Sequence, residues 1–197
     1  LSLTACGGST DTAKTDQADG KDTFTVGFDQ DFPPFGYVGD DGEFTGFDIE
    51  MATECAARMG KKIVLQPIDW DAKDMELEAG TIDCIWNGFT MNGREDQYTW
   101  TDPYMDNSQV VVVKKDSGIN TLADLAGKVV EVQKESAAET ALNDEEHADL
   151  MASFAQLLSV GEYNTAFMDL ESGAVDAVAI DIGVAQFQIE GKEDQYQ

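Results

Sequence analysis

IWNGFTMNGREDQYTWTDPY, residues 85 to 104, runs from a strand-like apolar segment into a glycine-punctuated turn. It carries Arg94, one of two arginines in a chain of 197 residues with 39 acids. The ordinary reading of such an arginine is a surface charge paired with Glu95 or Asp96. The alternative is a guanidinium that grips a carboxylate the protein does not itself supply. The choice depends on what flanks the stretch.

Outward from it, the chain alternates. FTVGF (24 to 28), KIVLQP (ending at 67), IDCIW (82 to 86), SQVVVVK (108 to 114), KVVEVQ (128 to 133) and VDAVAI (175 to 180) read as short strands. Most are continuous apolar runs of the kind buried on both faces of a sheet. Helical patterns separate them. In DIEMATECAARMG, Ile49, Ala52, Ala56 and Met59 recur at three and four residues, with Asp48 placed to cap the start and Gly60 to end it. DAKDMELEAG, ESAAETALND and EYNTAFMDLESG follow the same pattern, two of them closing on glycine. Strands alternating with helices predict an α/β fold with a parallel-rich sheet and helices on both faces.

Composition narrows the function. A hydrophobic content of 42% and an aromatic content of 9% describe a folded protein, so the net charge of −27 lies on its surface. Such a field repels phosphate backbones and anionic bilayers, which sets nucleic-acid binding aside. No run of about 18 or more apolar residues is present to span a bilayer. At the start, LSLTAC reads as the end of a secretory signal. Its Leu3-Thr4-Ala5-Cys6 resembles the lipobox at which bacterial lipoproteins are cut and acylated, which makes Cys6 the expected lipid anchor. Residues 7 to 22, GGSTDTAKTDQADGKD, are small and polar without apolar period, as in a flexible tether, and the fold is expected to begin near Thr23. Cys55, on a helix face, and Cys84, in a strand, read as small core residues rather than a disulfide. His147 has no second imidazole or paired cysteines beside it, so no zinc site is expected. No nucleophile has a basic partner at a plausible spacing.

In open α/β sheets, ligands settle at the carboxyl ends of the strands. Those ends carry DQDFPPFGY, Asp69-Trp70, NGFTMNGR, KESAAE and Asp181: an arginine, hydroxyls, aromatic rings and carboxylates. Gathered in one cleft, they are the parts that hold a zwitterion.

FDQDFPPFGY with GEFTGFDIEMA, GFTMNGRED with WTDPY, DLAGKVVEVQ, and VDAVAID together resemble the type II periplasmic-binding-protein fold, in particular the polar amino-acid solute-binding proteins that feed ABC importers. The likeness runs from about Thr23 to the end of the chain. It implies two α/β lobes joined by hinge strands, lobe 1 over 23–110 and lobe 2 over 111–197, with an amino acid trapped between them. Arg94 then holds the α-carboxylate through paired donors that a lysine lacks. Thr90 adds a hydroxyl and an amide, and Gly88 turns its carbonyl toward the α-ammonium. Asp181 matches the acid that neutralises that ammonium, and it equally suits the N-cap of the helix after it. Ser136 and Ala137 match a helix start whose amides reach the carboxylate, with a simple cap as the alternative for Ser136. Phe32 and Trp70 match two aromatic positions around the ligand's side chain, core packing being the other role open to them, while Phe35 reads as core. Asp29 matches an acid that meets polar or cationic side chains and is otherwise a turn residue. Gln133 stands where some relatives carry a basic residue. An acid at one end and an amide at the other favour a polar substrate such as glutamine, cystine or a basic amino acid.

Two departures from the family pattern stand out. The turn TMNGR is shorter by one residue, and the chain stops near EGKEDQYQ, where relatives return through a second hinge strand to complete lobe 1. A C-terminally truncated fold is therefore expected. The resemblance implies no cofactor and no catalysis, with a free amino acid and an ABC permease as partners and an extracellular, lipid-anchored location. The same fold also serves as a sensor module and as cyclohexadienyl dehydratases, which need a general acid that nothing here singles out.

Overall fold

The computed structural model describes residues 21–197. The proposed signal remnant, Cys6 and almost all of the tether lie outside them. The first half runs β1 (Thr23–Phe28), β2 (Asp31–Phe32), β3 (Gly36–Val38), β4 (Phe44–Thr45), α1 (Phe47–Arg58), β5 (Lys62–Pro67), α2 (Lys73–Ala79) and β6 (Cys84–Ile85). The second runs β7 (Gln109–Val113), β8 (Val129–Gln133), α3 (Ala137–Leu142), α4 (Ala148–Ser153), β9 (Gln156–Val160), α5 (Tyr163–Ser172), β10 (Ala177–Asp181) and α6 (Ile182–Ile189). No helix among the described residues is long and apolar enough to cross a membrane.

Two sheets carry the architecture. The first is parallel, in the order β5-β1-β6; the second has the order β7-β10-β8-β9 and is parallel except for β7. A small antiparallel meander, β2-β3-β4, sits beside the first. Parallel strands with helical crossovers need apolar side chains on both faces, and β8 and β10 supply them. One core cluster gathers Tyr163, Ala166, Leu170, Val178, Ile180 and Val184, and another gathers Leu125, Val130, Val132, Ala138 and Ala179. The expectation of double burial fails for β5, an edge strand whose residues are all half-buried or exposed. Residues 195–197 lie antiparallel along β7, Val113 and Gln197 exchanging hydrogen bonds of 2.9 and 3.0 Å.

Helix ends follow glycine chemistry. Gly80 and Gly173 close α2 and α5 in the left-handed conformation that a side chain disfavours. The start of α1 corrects the sequence reading: its cap is Gly46, at φ 126, and Asp48 makes no cap. The backbone carbonyls of Pro34 and Phe35 already take the Phe47 and Asp48 amides at 2.9 Å. This frees the Asp48 carboxylate to turn inward, where it is fully buried and accepts the Tyr104 hydroxyl at 2.9 Å. A side chain at position 46 would place its Cβ 2.3 Å from the Phe35 carbonyl oxygen. Met59, expected on the buried face of α1, follows the last turn and is exposed. Cys55 and Cys84 are half-buried and unbridged.

Candidate functional site

The carboxyl ends of β1, β5, β6, β8 and β10 converge on one small cavity. Nine of the ten residues singled out above line it, namely Phe32, Trp70, Gly88, Thr90, Arg94, Gln133, Ser136, Ala137 and Asp181; Asn87 and Phe89 complete the wall. The tenth, Asp29, stands directly behind Gln133. The cavity holds about 20 Å³, and a single water needs roughly 10–15 Å³. A molecule the size of an amino acid does not fit there unless the two sheets part. A larger groove of about 490 Å³ passes Lys114, Glu171 and Tyr196, but most of its charged groups are solvated, and none of the residues singled out above lines it.

Arg94 is set by its loop. Asn87 ties that loop to β1 by accepting the Asp29 amide at 3.0 Å, and Gly88, at φ 56, lets the chain pass the Phe35 ring. The Arg94 amide closes a turn onto the Met91 carbonyl at 2.9 Å, and the Trp100 indole N–H reaches the Arg94 carbonyl at 3.2 Å. The guanidinium lies over Phe89, 5.2 Å from its centroid, on a cluster completed by Trp70, Tyr98 and Trp100. It is 7% exposed and donates to the Thr90 carbonyl (3.2 Å), the Glu135 carbonyl (3.0 Å) and the Thr140 hydroxyl (3.3 Å). Among the described residues it forms no ion pair, and Glu95 and Asp96 are exposed. The surface-pair reading of Arg94 is thereby rejected. A buried cation whose partners are all neutral is suited to meeting an anion.

Asp181 supplies the opposite charge. It is 4% exposed at the end of β10, and one of its oxygens accepts from Asn107, from Gln109 at 2.8 Å and from the Thr90 hydroxyl at 3.5 Å. It occupies the N-cap position of α6 without a side-chain cap bond. Burial raises its carboxyl above the ordinary range, and the Asn107 and Gln109 amides oppose the rise. Thr90 thus links the two poles, its carbonyl on Arg94 and its hydroxyl on Asp181.

Two further expectations are corrected. Asp29 and Gln133 are not opposite ends of a binding surface: the Gln133 amide donates to Asp29 at 2.6 Å and to the Gly161 carbonyl at 2.9 Å, so the two form one buried pair. Burial pushes the Asp29 carboxyl up to about 6, against the pull of the Asp31 amide and Gln133. The Ser136 amide, expected to face a ligand, donates to the Gln133 carbonyl at 3.2 Å, and its hydroxyl oxygen caps α3 by accepting the Glu139 amide at 3.1 Å. Ala137 shares the wall beside it. Phe32 belongs to the second sheet's core as well as to the cavity, stacking 5.6 Å from Phe35 and lying 6.0 Å from Tyr163. Trp70 meets Phe89 edge-on at 5.1 Å. Sequence reasoning missed Asn107, Gln109, Glu135 and Thr140. Only the strand register of Gln109 opposite Asp181 carried a signal for any of them.

This arrangement defines a class. The model of the bacterial extracellular solute-binding proteins, family 3, matches residues 24–167, and the chain belongs to that family. Among its relatives, the L-cystine-binding protein TcyJ of Escherichia coli K12 is 32% identical over 162 residues, which cover 81% of this chain and 59% of that protein. The arginine-binding extracellular protein ArtP of Bacillus subtilis is 35% identical, with 68% and 51% covered. The chain therefore spans less than two thirds of either relative. Among solved structures, an ABC uptake transporter substrate-binding protein from Streptococcus pneumoniae with bound histidine superposes with a TM-score of 0.84 at 35% identity, covering 89% of this chain and 73% of that one. The mixed α/β architecture is that of the type II periplasmic binding proteins.

Proposed function

We propose that the chain captures a free amino acid between two lobes, residues 23–110 and 111–197, and delivers it to an ABC importer. The observation that carries this reading is the pair of buried, opposite and mutually unpaired charges, Arg94 and Asp181, bridged by Thr90 in one cavity. A zwitterion pays a prohibitive desolvation cost unless each pole meets an opposite group. Arg94 takes the α-carboxylate and Asp181 the α-ammonium, while Phe32, Trp70 and Gln133, with Asp29 behind it, face the side chain. An acidic side chain meets repulsion from Asp29, so polar, neutral or basic amino acids are favoured. Relatives named for cystine, arginine and histidine fall in that group. No bond is made or broken. Ligand favours closure because only the closed form touches it from both sides. The protein acts outside the cell, held to the membrane by lipid on Cys6.

Thermal-shift screening against the common amino acids tests the proposal, since binding to the native state alone raises the melting temperature. At least one polar amino acid is expected to raise it. A flat response across the panel, with no heat in calorimetry, refutes it.

A further inference from the structure

Beside the cavity, two loops face each other with reciprocal charges. Asp71 lies in the turn leading into α2 and Lys73 is the first residue of that helix; the turn leaving β8 carries Lys134 and Glu135. The Lys134 ammonium lies 2.6 Å from the Asp71 carboxylate, and the Lys73 ammonium 3.9 Å from that of Glu135. The two pairs differ in character. Asp71–Lys134 is exposed on the rim, whereas the Lys73 side chain is buried against the Trp70 ring, 5.3 Å from its centroid. Among the described residues the Lys73 ammonium has the Glu135 carboxylate as its ion-pair partner, and burial lowers its affinity for a proton.

Glu135 has a second peculiarity. Among the described residues it is the one non-glycine with positive φ, at 60°, a conformation an L-residue adopts only when its surroundings compensate. That backbone sends its carbonyl to the Arg94 guanidinium at 3.0 Å while its side chain points to Lys73 and its amide is taken by Glu139 at 2.7 Å. One residue of the turn after β8 thus meets two cations of the first half, Arg94 through its carbonyl and Lys73 through its carboxylate.

We propose that Asp71, Lys73, Lys134 and Glu135 form a charge-reciprocal clasp that holds the cleft closed and, through the Glu135 carbonyl, positions Arg94. The inference rests on the two-lobe reading above and adds what sets the closing equilibrium. Asp71 and Lys73 present an anion and a cation in the order that Lys134 and Glu135 complement, so the loops attract in one register and repel when slipped. These are positioning residues, and the cavity wall contains none of the four.

The test uses the full chain, small-angle scattering without added amino acid, and calorimetric titration with L-arginine, L-histidine and L-cystine in turn. Lys134→Asp puts a second carboxylate opposite Asp71, on a side chain exposed enough for the fold to tolerate it. It is expected to enlarge the radius of gyration and weaken binding by about two- to tenfold. Asp71→Lys combined with Lys134→Asp restores both to within about twofold of the parent, which a loss of packing does not do. Glu135→Gln, which keeps the backbone and removes the carboxylate, weakens binding by about two- to fivefold and makes it less sensitive to salt than in the parent. Unchanged scattering and affinity in Lys134→Asp, or failure of the charge exchange to rescue a folded protein, overturns the clasp. If none of the three amino acids binds any version, scattering alone decides the clasp, and the functional reading is judged separately by the full amino-acid panel.

Discussion

Replacing Arg94 with alanine removes the one buried guanidinium from the cavity. Its hydrogen bonds go to two carbonyls and a hydroxyl, so none of its charge is neutralised within the described residues. A ligand carboxylate meeting two of its donors gains charge-assisted hydrogen bonds of about 1.5–3 kcal/mol each. Truncation leaves that carboxylate buried without a partner, a loss of about 2–5 kcal/mol, or about 30-fold to several thousandfold in Kd. Arg94→Lys keeps the charge and loses the planar fork, so it falls between the parent and the alanine variant. Calorimetric titration with the amino acid that gives the largest thermal shift measures all three proteins. Since the neutral partners can rehydrate when the cleft opens, unfolding in urea is expected to change far less than affinity. A Kd for Arg94→Ala within threefold of the parent, in a folded protein, refutes the assignment.

Asp181→Asn is expected to raise the melting temperature of the unliganded chain, because burial disfavours the carboxylate, while weakening amino-acid binding; a variant that binds as tightly as the parent removes Asp181 from the site. Asp29 and Asp48, both pushed up to about 6 by burial, take up protons in the native state before the unfolded chain does. Stability therefore rises as pH falls from about 6 to about 4, by up to roughly 3 kcal/mol per group. Asp83 is held low by Lys21 and the Thr25 amide, so its contribution is lost only below that window. Thermal melts from pH 4 to 8 should peak below neutrality, and Asp48→Asn should flatten the slope; a maximum at pH 7 or above contradicts this account. Gly46→Ala, which drives a Cβ into the Phe35 carbonyl at φ 126, should cost about 2 kcal/mol or more in chemical unfolding.

The strands that frame the cavity were legible because burial on both faces demands a predominantly apolar run, as in VVEVQ and AVAID. Gly80 and Gly173 were legible because only a left-handed cap needs glycine there. β9 was not: ADLMASFAQLLSV passes from α4 into the strand with no glycine or proline between them, so periodicity alone cannot divide it. The meander β2-β3-β4 hid in a proline-rich stretch whose pairs are only two or three residues long. In the site, charged and aromatic groups at strand ends could be found from spacing. What spacing cannot reveal is a pairing such as Asp29 with Gln133, 104 residues apart. Nor can it reveal a residue that acts through its carbonyl, as Glu135 does, since every residue type has one.

Gln109 and Asp181 are direct partners in the antiparallel ladder of β7 and β10. The acid's orientation is thus inherited from main-chain pairing and is present before any ligand arrives. Changes at positions 29, 70 or 133 leave that inheritance untouched. On the proposed reading, selectivity for the variable part of a nutrient is then open to change one substitution at a time, while the grip on the part common to all of them is carried forward intact.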